Sequence, residues 1–118
     1  MGMGDLRTKK MDKIYRGLIA KGFLANGCNL CKEKTLKEFR YWKIIKNRFP
    51  WDKISKVHHM IIPKRHTIES KLTKAELKEF GLLKKGYIEK NYELIAEATK
   101  KKKTIPTHLH LHLIIAKN

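Results

Sequence analysis

Thr107-His108-Leu109-His110-Leu111-His112-Leu113-Ile114 alternates polar and apolar side chains without a break. That alternation is the period of a half-buried β-strand, in which successive side chains point to opposite faces. Leu109, Leu111 and Leu113 are thereby assigned to a core. His108, His110 and His112 share the other face, about 6.5–7 Å apart along the strand. A helix would scatter the same residues around its circumference and bury none of them consistently. The row of imidazoles has three readings: a polar surface, a zinc site drawn from alternate positions, or a nucleophile whose neighbours orient it and stabilise charge. The three residues alone do not choose between metal and catalysis.

The whole chain narrows the choice. Its 118 residues suffice for one domain and one core, and an apolar content of 42% argues against disorder. No apolar run approaches the roughly 18 residues of a membrane-spanning helix. The lysine-rich start (Lys9, Lys10, Lys13) lacks the apolar region of a signal peptide, so the cytoplasm is the expected compartment. Without an export signal, two cysteines spaced C-x-x-C point to metal or redox use rather than a structural disulfide. Lys and Arg number 28 and Asp and Glu 11, giving a net charge of +17. Such a charge attracts anions: nucleotides, polyphosphate, nucleic acid or acidic lipid. Lysine, a point charge, suits this better than base reading.

Met11, Ile14, Tyr15, Leu18 and Ile19 fall on one face of an amphipathic helix over about residues 9–21, stopped at Gly22, with Lys9, Lys10, Lys13, Arg16 and Lys21 opposite. Residues 1–27 are read as this helix packed on a domain formed by 28–118. Cys28 and Cys31 sit in a turn-rich knuckle where two thiolates can reach one tetrahedral ion; no βαβ pattern accompanies them, against a redox motif. Thr35-Leu36-Lys37-Glu38 reads as a capping box opening a helical turn, followed by a strand at about 40–46. Asn47–Asp52 is a turn around Pro50. Val57–Ile62 has strand length and ends at Pro63. Thr73 and Glu76 form a second capping box, opening a helix to about residue 90. Tyr92–Ala98 fits a strand or a helix continuation, and Lys100–Lys103 a solvated loop. The order suggests an α+β fold with an antiparallel sheet, one main helix and an N-terminal helix.

Read together, these segments resemble the histidine-triad (HIT) superfamily. His108–Ile114 matches the signature His-φ-His-φ-His-φ-φ, with φ apolar. His59-Met60-Ile61-Ile62-Pro63-Lys64-Arg65-His66 resembles a second recurrent segment, and Asn47-Arg48-Phe49-Pro50-Trp51 the turn before it. Cys28 and Cys31 resemble the C-x-x-C of zinc-carrying members.

The resemblance implies a HIT-like sheet, usually a homodimer, and nucleotidyl hydrolase or transferase chemistry on a nucleotide substrate. His110 would attack the α-phosphorus, with His112 and His59 flanking the phosphate and Asn47 near the ribose. Cys28, Cys31, His66 and His108 would hold a structural zinc ion. Members usually carry a glycine-rich phosphate loop before the triad; here Lys100–Thr107 stands in its place, with Thr104 as the substitute hydroxyl. The competing expectation is a basic zinc protein that binds nucleic acid on the same fold with weak or no catalysis.

Overall fold

The computed structural model describes residues 6–21, 28–99 and 107–117. Gly22, Lys100–Lys103 and Thr104 therefore lie outside the described residues. Helix α1 spans Lys9–Ala20 and the short α2 Asn29–Lys32, followed by strands β1 (Thr35–Glu38), β2 (Trp42–Lys46) and β3 (Ser55–Pro63). The main helix α3 (Lys74–Leu83) runs on through a π-helical segment, Lys84–Ile88, into α4 (Glu89–Asn91). Strands β4 (Leu94–Ala96) and β5 (Leu111–Ala116) complete the chain. All strand pairs are antiparallel, in the order β1-β2-β3-β5-β4. No helix among the described residues is long and apolar enough to cross a membrane.

The local chemistry explains most of these elements. Thr8 caps α1, its hydroxyl accepting the Met11 N–H at 3.2 Å. The expected capping box of α3 is complete: the Thr73 hydroxyl accepts from Glu76 N–H at 3.1 Å, and Glu76 Oε1 accepts from Thr73 N–H at 2.8 Å. The Thr35–Glu38 box is not used. That segment is strand β1, pairing Lys37 with Ile44 and Glu38 with Lys43. The Glu38 carboxylate meets Lys64 Nζ at 2.9 Å instead of a helix terminus. Partners across the sheet satisfy backbone groups that a lone helical turn would leave open.

The triad strand also starts later than the alternation implies. Leu109 N–H donates to Thr67 O at 2.8 Å, and the His108 carbonyl accepts from His110 Nδ1 at 2.9 Å. These backbone groups are thus taken before the β3 ladder begins at Leu111. The leucines nevertheless go where their period sends them: Leu109 and Leu113 are buried, and Leu111 packs against the same cluster.

Both faces of the sheet are covered. On one, Trp42, Ile44, Ile61, Leu109 and Leu113 pack with Ile88 beneath the main helix. On the other, Ile45, Met60 and Ile62 pack with Leu30 of the cysteine knuckle. Pairing of Met60 with His112 puts the histidines on this second face.

Arg65 joins the helix to the segment bearing His66. Its Nε and Nη2 donate to the two Glu76 carboxylate oxygens at 3.0 and 2.7 Å, and Nη2 also reaches Lys71 O. These bonds hold the buried Glu76 carboxyl down at about 2, from an ordinary 4.5. Because the folded value is depressed, this stability is present above pH 4.5 and is lost as pH falls towards 2. Glu76→Gln should cost about 1–2 kcal/mol at pH 7 and flatten the acid limb of stability in that window. Urea titrations across pH measure this; an unchanged limb would remove Glu76 as its source.

Candidate active site and metal centre

The cysteine knuckle, the segment after β3 and the start of the triad converge on one point. Cys28 Sγ and Cys31 Sγ each lie 3.3 Å from His108 Nδ1, and Cys31 Sγ lies 3.4 Å from His66 Nδ1. All four donor atoms fall within 4.8 Å of one another. Donors about 2.0–2.3 Å from a tetrahedral zinc ion are roughly 3.3–3.8 Å apart, and the three sulfur–nitrogen distances fall in that range. His108 turns its other nitrogen away: Nε2–H donates to Pro63 O at 3.1 Å, which leaves Nδ1 as the ligand atom. Burial, and then the neighbouring Cys28 thiol, push the Cys31 thiol up, so loading a metal must expel a proton. The set closes on four protein ligands. Any zinc there would brace the fold rather than supply chemistry.

Two residues further on, His110 Nδ1–H donates to the His108 carbonyl at 2.9 Å. In a neutral ring the lone pair is then on Nε2. The buried triad residue His112 follows on β5 with its ring 5.4 Å from that of His110.

A chain of bonds orients His112. The Trp51 backbone N–H donates to His58 Nδ1 at 3.0 Å. A peptide nitrogen only donates, so the neutral His58 ring carries its proton on Nε2. Burial, then the charges of Arg7 and His59, lower His58 to about 3, which keeps it neutral at physiological pH. His58 Nε2–H donates to His112 Nδ1 at 2.7 Å, which places the His112 proton on Nε2. The Trp51 ring packs on both imidazoles, 4.2 Å from His112 and 4.8 Å from His58. The arrangement therefore sets a lone pair on one imidazole beside an N–H on the next, a pairing that can combine nucleophilic attack with hydrogen-bond donation to a charged oxygen.

Of the residues singled out in the sequence, Cys28, Cys31, His66 and His108 come together, and His110 and His112 lie beside them. Asn47 is buried next to His58, with its amide nitrogen 3.2 Å from Nε2 and its oxygen accepting from Phe49 N–H. His59 does not reach the triad. It pairs with Leu113, sharing that residue's face, and its Nδ1 meets the Tyr92 hydroxyl at 2.7 Å. The position beside His112 belongs to His58, one residue earlier. Strand parity forces the exchange, since from Val57 to Ile61 only the even-numbered residues of β3 share the face of His112. The periodic signal that separates the two is absent because β3 is buried on both sides: Ile61 and Ile62 are each 0% exposed. Trp51 was legible only as part of a turn.

Comparison with known proteins bears on the fold. No protein-family model and no curated protein matches the chain. Solved structures do. A HIT family hydrolase from Clostridium thermocellum aligns with 79% of this chain and 92% of its own, at 21% identity and a TM-score of 0.52. A HIT family hydrolase from Legionella pneumophila aligns with 78% and 95%, at 19% identity and 0.53. A histidine triad protein from Clostridium difficile aligns with 79% and 92%, at 17% identity and 0.54. The chain has the histidine-triad fold.

Proposed function

We propose that this protein is a nucleotide hydrolase or transferase of the HIT type, acting on the α-phosphate of a nucleotide through a covalent nucleotidyl-histidine on His110. The observation that carries the reading is the hydrogen bonding at the two rings, His110 Nδ1 on the His108 carbonyl and His112 Nδ1 on His58 Nε2, which assigns an unprotonated Nε2 to His110 and a protonated Nε2 to His112. Attack by His110 Nε2 forms a P–N bond and expels the leaving group. The His112 N–H stabilises the charged oxygens and can protonate the departing atom. Water then attacks the same phosphorus, the P–N bond breaks, and a nucleoside monophosphate leaves. One hard displacement thus becomes two easier ones. Candidate substrates are nucleoside phosphoramidates, nucleotidyl esters and dinucleoside polyphosphates.

His58 is assigned a positioning role through His112, and His59 none. His58→Ala should therefore lower kcat by about 10²-fold or more, the cost of a misaimed catalytic group. His59→Ala should change it by less than about threefold. Equal losses in both variants would overturn the assignment. The function itself is tested with a panel of the three substrate classes, from which a nucleoside monophosphate should be released. No release from any of them would favour the basic, nucleic-acid-binding alternative.

A further inference from the structure

The residues just before and within the start of α1 grip the turn that supplies Trp51. Asp52 binds Thr8 with both carboxylate oxygens: Thr8 N–H donates to Oδ1 at 2.6 Å and the hydroxyl to Oδ2 at 2.8 Å. Lys53 N–H donates to Leu6 O at 3.0 Å. The buried Arg7 donates from Nε to Phe49 O at 2.8 Å, with its guanidinium 4.4 Å from the Tyr15 ring centroid. Tyr15 in turn packs on Phe49 with ring centroids 4.9 Å apart. The Arg7 and Thr8 bonds span 42 and 44 residues of sequence, and every contact here except that of Arg7 with Tyr15 lands on Phe49–Lys53. On its inner side the same turn contacts the His58–His112 pair: the Trp51 N–H on His58 and the Trp51 ring on both imidazoles.

We infer that Asp52, by holding Thr8, is a positioning residue that sets the tautomers of His58 and His112 through Trp51. The inference rests on the proposed nucleotidyl chemistry only for its consequence in turnover. Asp52 is adjacent to Trp51, so its bidentate hold limits how far the peptide before Trp51 can swing. When that hold is lost, the Trp51 N–H leaves His58 Nδ1. The remaining donor, Asn47 Nδ2, lies 3.5 Å from Nδ1 and 3.2 Å from Nε2 and can donate to whichever ring nitrogen is unprotonated, so it does not keep the proton off Nδ1. A His58 ring protonated on Nδ1 has no N–H on Nε2 to give His112, and His112 loses its bias towards the Nε2–H form. The N-terminal segment thereby acts on the triad through Trp51.

The test uses the full chain with metal bound, in wild-type, Asp52→Ala, Asp52→Asn and Thr8→Val forms. Long-range proton–nitrogen NMR of the imidazole rings reads the tautomers directly and needs no substrate. In the wild type, His58 and His112 should each show a bare Nδ1 and a protonated Nε2. Asp52→Ala should mix the tautomers at both rings and lower kcat about 10²-fold with KM within threefold. Asp52→Asn keeps an acceptor for the Thr8 N–H and should recover most of the wild-type pattern. Thr8→Val loses the hydroxyl bond to Asp52 and the cap on Met11 N–H but keeps the backbone bond to Asp52, and should fall between; it also serves if Asp52→Ala does not fold. Unmixed tautomers in Asp52→Ala, or in Thr8→Val in its place, overturn the inference, as does a wild type that lacks the stated pattern. Tautomers that mix as expected in a protein that turns over no nucleotide leave the inference standing and reject the proposed function.

Discussion

His110→Ala is expected to abolish turnover, by about 10⁴-fold or more, because removing a covalent nucleophile removes the pathway rather than one contribution to it. The variant should remain folded. Its lost hydrogen bond is local, from Nδ1 to the carbonyl of His108 two residues earlier, and is worth about 1 kcal/mol. The side chain supplies neither an atom of the four-residue metal set nor a partner in the His58–His112 bond. Steady-state release of nucleoside monophosphate, with circular dichroism and metal content as controls, checks the expectation. Turnover within tenfold of wild type would move the nucleophile elsewhere, and His112 would be the next candidate.

Cys28→Ser is expected to lose the metal and much of the stability that comes with it. A folded-state ligand held at a free concentration 10²–10³ times its Kd stabilises by about 3–4 kcal/mol, and a structural zinc site is bound mainly by the folded chain. Activity should fall as well, by a route visible in the bonding. The ion would fix the His108 ring, and the His108 carbonyl accepts the Nδ1–H hydrogen bond that leaves the lone pair of a neutral His110 on Nε2. Elemental analysis of protein prepared without chelators should give one zinc per chain in the wild type and none in Cys28→Ser. Urea denaturation should show the destabilisation in the variant and in chelated wild type alike. Absence of metal from the wild type would refute the four-ligand assignment.

Much of this was legible in the sequence because several signals were local. The apolar stripe of α1, the capping box of α3 and the apolar centre of β3 (Val57–Ile62, within a strand that extends over Ser55–Pro63) each depend on neighbours a few residues apart. The metal set was legible through the C-x-x-C spacing together with the family resemblance. What escaped depends on pairing across the sheet. Thr35–Glu38 carries the letters of a helix cap, yet its partner is Trp42–Lys46, and tertiary pairing overrode the local preference. The choice between His58 and His59 is a matter of one residue in register, and a strand buried on both faces does not declare its parity. The role of Asp52 was invisible for a similar reason: nothing near it in sequence marks Thr8 as its partner.

The most direct measurement is mass spectrometry of the enzyme quenched during a single turnover of a nucleoside phosphoramidate, followed by peptide mapping. The expected product carries one nucleoside monophosphate in an acid-labile P–N bond on the peptide containing His110, with no such adduct in His110→Ala. Full turnover with no adduct on any residue at any quench time, or an adduct mapped to His112, His58 or a lysine, would contradict nucleophilic attack by His110.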